Sequence, residues 1–340
     1  MSSRFHPVLV NEPFSDPGLY VELMFEKRAI LFDLGDLGAL SPRKLLRVSD
    51  VFVSHMHMDH FCGFERLLRV VLGRKSALRL YGPPGFVDAV GHKLAAYTWN
   101  LVDNYDTDLT LSITEIANGG DRRTVDFRCR ARFRPENERF DVAPDGRLLA
   151  ESGFSVRAAV LDHGIPCLAF ALEERAHVNV WKNRIEDRGL RVGPWLRDLK
   201  EAILRDDPDD TPIRARWRAD DGIVERTVPL GTLRGDAATV TAGARIVYVV
   251  DAAPNAANIA RILDLATDAT VLFIESAFLD ADTDRARERH HLTARIAGDI
   301  AARAGAQRLV TFHYSPRYEG RGDELAAEAE AAFRKPRQGL

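Results

Sequence analysis

Six short apolar runs in the chain each end in a polar side chain that can take part in chemistry. The runs, each with the residues that follow it, are 29–32 before Asp33, 51–53 before Ser54 and His55, 156–161 before Asp162 and His163, 245–250 before Asp251, 271–274 before Glu275, and 309–312 before His313. Near-continuous apolar runs of this length are typical of strands that are buried on both faces. Because ligands of open α/β sheets gather at the ends of strands, six such runs predict one shared cleft.

Segments with helical spacing lie between these runs. Two of them contain Phe64, Leu67, Leu68 and Val71, and Ile296, Ile300, Ala301 and Ala304. The region from about 174 to 239 departs from the pattern, because it has few strand-like runs and one helical stretch around 195–204. We therefore predict an α/β fold with a single domain over residues 1–340 and an insertion at about 174–239.

The charge of the chain limits how it can bind nucleic acid. With a formal net charge of −3, the protein needs a local patch of Lys and Arg for such a partner. Apolar and charged residues alternate in 124–134, which predicts a strand with Arg128, Arg130 and Arg132 on one face. This face is either a solvated surface or a contact for an RNA backbone.

Cysteine usage and hydropathy bear on the cellular compartment. The chain has three cysteines without a CxxC pair, which predicts reduced thiols and excludes a disulfide framework or a thiolate zinc site. It also has no stretch of about 18 apolar residues and no apolar segment at 1–10. We expect a cytoplasmic protein without a membrane anchor.

The sequence HMHMDH at 55–60 directly follows one of the strand-like runs. Imidazole and carboxylate groups are ligands that zinc accepts in hydrolytic sites, and a tight loop can turn them into one concavity. Residues at the other strand ends supply the further ligands that each ion needs. The predicted ligands are His55, His57 and His163 for a first ion, Asp59, His60 and His313 for a second, and Asp251 as a bridge between both.

The motif and the residues that follow it resemble the metallo-β-lactamase superfamily and, more narrowly, the ribonuclease Z family of tRNA 3′-processing endonucleases. The segments similar to that family are LFDLGD at 31–36, YGPPG at 81–85, IESAF at 274–278, HLTA at 291–294 and HYSPRY at 313–318. The resemblance implies a four-layer αβ/βα sandwich with an inserted segment. It also implies two zinc ions, with manganese or iron as alternatives, and a homodimer.

The resemblance further implies that the chain removes 3′ trailers from precursor tRNA, with a hydroxide activated by the two ions as the nucleophile. Asp59 would bind metal and also orient the hydroxide or accept its proton. His291 would donate a hydrogen bond to the phosphate or a proton to the leaving oxygen. Glu275 and Asp33 either hold histidines in the required tautomer or are buried carboxylates at strand ends without such a role.

Three other functions remain to be compared with this one. A hydrolase of a small phosphodiester, thioester, lactone or sulfate ester fits every predicted ligand equally well. The chain also lacks the glycine-rich opening of the ribonuclease Z family. A diiron redox member of the superfamily would carry Glu in place of His57, and a binding module without activity would be expected to have lost a ligand.

Overall fold

The structure, a computed structural model, describes residues 4–24, 26–219 and 222–335. The chain divides into two compact units. The first unit contains the described residues up to 173 and from 244 onwards, and the second unit spans 174–243. The second unit extends past 239 because its last strand ends at Thr241. That the chain forms one domain with an insertion stays a prediction.

The secondary structure of the described ranges mixes strands and helices throughout. The strands are, in chain order, β1 (Phe5–Leu9), β2 (Leu19–Leu23), β3 (Arg28–Phe32), β4 (Val48–Phe52), β5 (Ala77–Gly82), β6 (Thr110–Ile116), β7 (Asp121–Arg128), β8 (Pro135–Val142), β9 (Arg147–Ala150), β10 (Phe154–Asp162), β11 (Pro166–Glu174), β12 (His177–Val180), β13 (Pro212–Ala219), β14 (Gly222–Pro229), β15 (Ala238–Thr241), β16 (Arg245–Val249), β17 (Val271–Glu275) and β18 (Leu309–Phe312). The α-helices are α1 (Pro42–Leu45), α2 (Met58–Phe61), α3 (Phe64–Val71), α4 (Phe86–Ala95), α5 (Lys182–Asp187), α6 (Leu196–Leu204), α7 (Ala256–Ala266), α8 (Thr283–Glu288), α9 (Ala294–Ala304) and α10 (Gly322–Phe333). None of these helices is long and apolar enough to cross a membrane.

The first unit contains two β-sheets. An eight-stranded sheet follows the chain order from β1 to β8, and a six-stranded sheet has the order β18-β17-β16-β11-β10-β9. Strands β3 to β6 run parallel to one another, as do β16 to β18. Because neighbouring parallel strands end at the same edge, the residues that follow them are brought close together.

Three buried apolar clusters bind the layers of the first unit together. One packs the eight-stranded sheet against α1, α3 and α4. A second lies between the sheets, where the ring of Phe32 is 5.5 Å from that of Phe170 and 5.8 Å from that of Tyr248. The third packs the six-stranded sheet against α7 and α9. The order helices, sheet, sheet, helices confirms the predicted four-layer αβ/βα sandwich.

The six apolar runs lie on strands β3, β4, β10, β16, β17 and β18 or directly beyond them, as predicted. Burial on both faces holds for β17, in which every residue is buried. It does not hold for β10 or β18, where residues 157–160 and 309–311 are only half-buried.

The alternating segment 124–134 is a strand only in its first part. Strand β7 ends at Arg128, a 3₁₀ turn covers Cys129–Ala131, and Arg132 has a left-handed backbone with φ of 56°. The prediction that Arg128, Arg130 and Arg132 share one strand face is therefore wrong. The charge of Arg128 is also compensated, since two carboxylates lie 3.3 Å from its guanidinium.

The second unit has its own apolar core and more strands than the sequence predicted. Strand β12 pairs with β15, and β13 pairs with β14, both antiparallel. The expectation of few strands in this region is wrong, whereas α6 confirms the predicted helix. The missed signal is the alternation in 212–219, where Ile213, Ala215 and Trp217 are buried between exposed arginines.

Candidate metal centre

Polar residues that follow strands of both sheets come into contact. Asp33 follows β3, Asp251 lies beyond the end of β16, and His313 follows β18. Nδ1 of His313 is 3.0 Å from Oδ1 of Asp251. All three residues have left-handed backbones, with φ of 57°, 46° and 57° respectively. This conformation costs an L-residue roughly 1–2 kcal/mol and is concentrated at functional sites, so the strand ends are candidates for such a site.

The motif at 55–60 contributes side chains from a loop and from a short helix. His55 lies beyond the end of β4, His57 is the N-cap residue of α2, and Asp59 and His60 belong to α2. His55 and His60 are fully buried, while His57 is exposed and the Asp59 side chain is 42% exposed. The motif therefore places the imidazoles of His55 and His60 inside the protein and the side chains of His57 and Asp59 towards solvent.

Within the described residues, three overlapping groups of side chains place their potential ligand atoms within 4.8 Å of one another. The groups are His55, His57, His163 and Asp251; Asp59, His60 and His313; and Asp251, Glu275, His291 and His313. The first two groups match the sets that the sequence predicts for two ions. The third adds Glu275 and His291, so all the residues for which the sequence predicts metal binding or catalysis belong to these groups.

Asp251 occupies the centre of these groups. Its Oδ2 atom is 3.4 Å from Nε2 of each of His55, His60 and His163. Oδ2 of Asp59 is 3.3 Å from Nε2 of His60. A single carboxylate therefore contacts imidazoles from both predicted ligand sets, as a bridge requires.

Several buried polar atoms of the cluster lack a hydrogen-bond partner. They include Nε2 of His55, Nε2 of His60, Oδ1 of Asp251 and Nδ1 of His313, and none of these atoms makes a hydrogen bond in the described part of the chain. The last two are 3.0 Å apart but are not aligned for a hydrogen bond. Leaving a buried polar group unpaired costs roughly 1–3 kcal/mol. Because imidazole and carboxylate are ligands of divalent metals, the donor set fits metal ions that would satisfy these atoms.

Hydrogen bonds fix the ring orientation of two of the histidines. Nδ1 of His60 lies 2.9 Å from Oδ2 of Asp33, and Nδ1 of His163 lies 2.8 Å from the carbonyl oxygen of His290. Both partners are acceptors, so each Nδ1 carries the proton and donates it. The Nε2 lone pair of each ring then remains for a metal.

Glu275 and His291 form a pair at the edge of the cluster. Nδ1 of His291 donates to Oε2 of Glu275 at 2.7 Å, and Oε1 accepts from the backbone N–H groups of Ala252 and Leu292. Glu275 is fully buried. The carboxylate is therefore held rigidly behind His291, and Nε2 of His291 is not used by this pair.

The charges of the cluster act differently on its histidines. Burial and the neighbouring imidazole of His60 lower the pKa of His55 to about 2, which keeps this ring neutral as a ligand must be. Burial also lowers the pKa of His60 and His313, but the nearby carboxylates, of which Asp251 contributes most, together outweigh it and raise the pKa of both well above the usual value. In the same way, burial lowers the pKa of His291, and the carboxylates of Glu275 and Asp251 together outweigh it and raise that pKa.

Ribonuclease Z from Deinococcus radiodurans is 30% identical to this chain over 331 residues, and the match covers 96% of this chain and 95% of that protein. The chain belongs to the ribonuclease Z family. Ribonuclease Z from Halorubrum lacusprofundi is 29% identical over 321 residues, covering 89% of this chain and 83% of that protein. The chain is therefore a hydrolase.

The solved structures agree on the fold of this ribonuclease Z family member. The metallo-β-lactamase fold protein YhfI from Bacillus subtilis has a TM-score of 0.55 and 15% identity, covering 96% of this chain and 92% of that one. The long form ribonuclease Z from yeast has a TM-score of 0.51 and 11% identity, covering 93% of this chain and 38% of that one. A comparison with protein-family profiles finds no match.

Two residues that orient the cluster in this ribonuclease Z family member were missed in the sequence. The hydroxyl group of Tyr248, in the middle of β16, donates to Oδ2 of Asp33 at 3.0 Å. His290 contributes its backbone carbonyl to His163 and has a left-handed φ of 59°. A tyrosine in an otherwise apolar strand was a usable signal for the first, whereas a backbone contact leaves no signal in residue type.

A cleft of about 430 Å³ opens beside the cluster. Its lining includes Asp59, His291 and His313, the aromatic residues Phe14, Phe278 and Tyr314, and the arginines Arg285 and Arg289. Its volume is within the range of small-molecule sites. The predicted catalytic side chains therefore face a space that a substrate can enter.

Proposed function

We propose that the chain is a two-zinc phosphodiesterase that removes the 3′ trailer from precursor tRNA by endonucleolytic cleavage. The observation that carries the proposal is the pair of ligand groups joined by Asp251, with the oriented His291 beside them, in a chain of the ribonuclease Z family. The relatives that bear the name Ribonuclease Z support an RNA substrate.

Seven side chains hold the two zinc ions in this proposal. They are His55, His57 and His163 for the first ion, Asp59, His60 and His313 for the second, and Asp251 for both. Zinc ligands lie about 2.0–2.2 Å from the ion, so two ligands of a tetrahedral site are roughly 3.3–3.6 Å apart. The separations of 3.4 Å around Oδ2 of Asp251 support this assignment.

Bound zinc would lower the pKa of water to about 7 and stabilise the charge on the attacked phosphoryl group. The other steps use side chains of the chain itself. Asp59 lines the cleft, where its carboxylate orients the attacking water and accepts a proton from it. This role needs a partly exposed carboxylate within reach of the substrate, which is how Asp59 differs from the buried Asp251.

His291 is the general acid of the proposed reaction. Its raised pKa favours the protonated ring, and since Nδ1 is bonded to Glu275, the proton on Nε2 of that ring is free for the cleft. From there it donates to the leaving oxygen or to a phosphate oxygen. Glu275 is a positioning residue in this scheme, because it contacts His291 and is closed off from the cleft.

The alternative substrates are a small phosphodiester, thioester, lactone or sulfate ester. The comparisons do not favour them, since the curated relatives carry the names Ribonuclease Z and Ribonuclease BN. The homodimer implied by the family resemblance stays a prediction.

The proposal is tested by incubating the zinc-loaded protein with a precursor tRNA and with an unstructured RNA of the same length. We expect a single cut at the start of the 3′ trailer, with kcat/KM well above that for the unstructured RNA. Equal cutting of both RNAs, or hydrolysis of bis(p-nitrophenyl) phosphate alone, would reject the tRNA substrate. The latter result would favour a hydrolase of small esters.

A further inference from the structure

Two arginines in the wall of the cleft have no ion-pair partner among the described residues, although the carboxylate of Asp282 lies near Arg285. Arg285 and Arg289 are exposed and line the cleft together with His291 and Asp59. Neither makes an ion pair or a side-chain hydrogen bond with another described residue. Their neighbour Arg287 is different, because it pairs with Asp284 at 3.6 Å.

The backbone places both guanidinium groups on one side of the same helical turn. Arg285 lies in α8 and Arg289 is its C-cap residue, and the backbone N–H of Arg289 donates to the carbonyl oxygen of Arg285 at 3.0 Å. Residues four apart in a helix are neighbours on its surface, and like charges at this spacing destabilise the helix. The two cations therefore repel each other on this turn, and a bound anion would relieve that repulsion.

The same segment also carries residues of the metal cluster. The backbone N–H of His291 donates to the carbonyl oxygen of Ala286 at 2.9 Å, and the carbonyl oxygen of His290 accepts from His163. The two arginines are thus fixed by the backbone that positions the general acid and one ligand. An anion held by them would lie in the cleft beside the reacting phosphate.

We propose that Arg285 and Arg289 bind a second phosphate of the substrate, next to the one that is cleaved. This inference rests on the proposed phosphodiesterase function and adds to it a preference for polynucleotides over isolated phosphodiesters. Guanidinium groups suit this role because their N–H donors match phosphate oxygens in pairs. The two arginines in the cleft thereby select a substrate in which a second phosphate lies one nucleotide away from the cleaved one.

The test uses the zinc-loaded protein and three RNA dinucleotides, one without a terminal phosphate, one with a 5′-phosphate and one with a 3′-phosphate. Dissociation constants and kcat/KM are measured for each, and bis(p-nitrophenyl) phosphate serves as a substrate without a second phosphate. We expect one of the phosphorylated dinucleotides to bind roughly tenfold more tightly than the plain one, a typical effect of charge-assisted hydrogen bonds at a partly exposed site.

The variants R285S and R289S should each remove most of this preference, and this loss should exceed any change in the hydrolysis of bis(p-nitrophenyl) phosphate, which has no second phosphate. R287S is the matched control on the same helix and should keep the preference. Equal binding of all three dinucleotides by the wild-type protein, or a preference that survives in the double variant, overturns the inference even if RNA is cleaved. Arginine-dependent binding of a phosphorylated dinucleotide by a protein that cleaves neither the dinucleotide nor the precursor tRNA supports the phosphate site and rejects the phosphodiesterase function.

Discussion

Two clusters of charged side chains lie at opposite ends of strand β3 and its neighbours, and they differ in how their charges are satisfied. At the start of β3, Arg28 and Arg79 bind Asp50 and Glu151 at N–O distances of 2.6–3.1 Å. No side-chain polar atom of these four described residues is left buried without a partner. We call them the arginine–carboxylate cluster.

At the other end of β3 lies the histidine cluster, which we define as the seven predicted metal ligands. It is just as rich in ionisable groups, yet Asp251 is surrounded by imidazoles and several of its atoms lack hydrogen-bond partners in the described ranges. Buried charges are retained when they are paired or when they coordinate metals. The comparison indicates that the first cluster stabilises the fold, whereas the second requires a ligand.

The largest effect is expected on catalytic activity, when a residue of the histidine cluster is replaced. Replacing Asp59 by Ala removes a metal ligand and the partner of the attacking water, so kcat/KM should fall by several orders of magnitude. One metal equivalent should be lost as well. Steady-state kinetics and elemental analysis measure both effects, and near-wild-type turnover in the variant would contradict the assignment of Asp59.

Replacing His291 by Ala shows whether this residue is a general acid or a metal ligand. We expect turnover to fall by about 10²–10⁴, the usual range for a general acid, with both metals still bound. Metal content is measured beside the kinetics. If the metals are lost with His291, this residue is a ligand, as the third side-chain group would also allow.

Replacing Asp50 by Asn tests the arginine–carboxylate cluster. It leaves two arginines without their buried partner, so the free energy of unfolding should fall by about 1–3 kcal/mol, less than for a fully buried pair because both arginines are partly exposed. The matched control is Asp141 to Asn, which removes an exposed pair with Arg122 and should cost at most about 1 kcal/mol. Denaturant titrations measure both variants, and loss of bound metal in the Asp50 variant would contradict the division into two roles.

Proton release on metal binding is the smallest of these effects. In the metal-free protein the raised pKa of His60 and of His313 keeps both rings protonated at neutral pH. Zinc needs the neutral imidazole, so binding should release about one to two protons, and zinc affinity should rise with pH up to the folded-state pKa. Calorimetry in two buffers with different ionisation enthalpies measures the number, and zero release would contradict the raised pKa.

Much of the site could be predicted because a motif of closely spaced histidines and an aspartate, followed by further His and Asp residues at strand ends, is rare. The HMHMDH motif and the polar residues at strand ends identified every member of the three side-chain groups except His291, which the resemblance of the HLTA segment to the family indicated. The sequence could not give the contacts that orient them, such as the carbonyl of His290, because any residue supplies a carbonyl.

Alternating patterns were less reliable guides. Residues 124–134 and 212–219 show the same alternation of apolar residues and arginines. The first stops being a strand after Arg128, where the backbone enters a 3₁₀ turn. The second is a complete strand whose partner β14 lies directly after it in the chain. Side-chain alternation records burial, but it does not record where backbone pairing ends.

The most direct test of the account is the metal content of protein purified without chelator. Elemental analysis should give about two equivalents of transition metal per chain, mostly zinc, because the histidine cluster supplies ligands for two ions joined by Asp251. The Asp50 variant should give the same value. A reproducible content near zero in a protein that still hydrolyses phosphodiesters would contradict the central claim that the unsatisfied cluster is a metal centre.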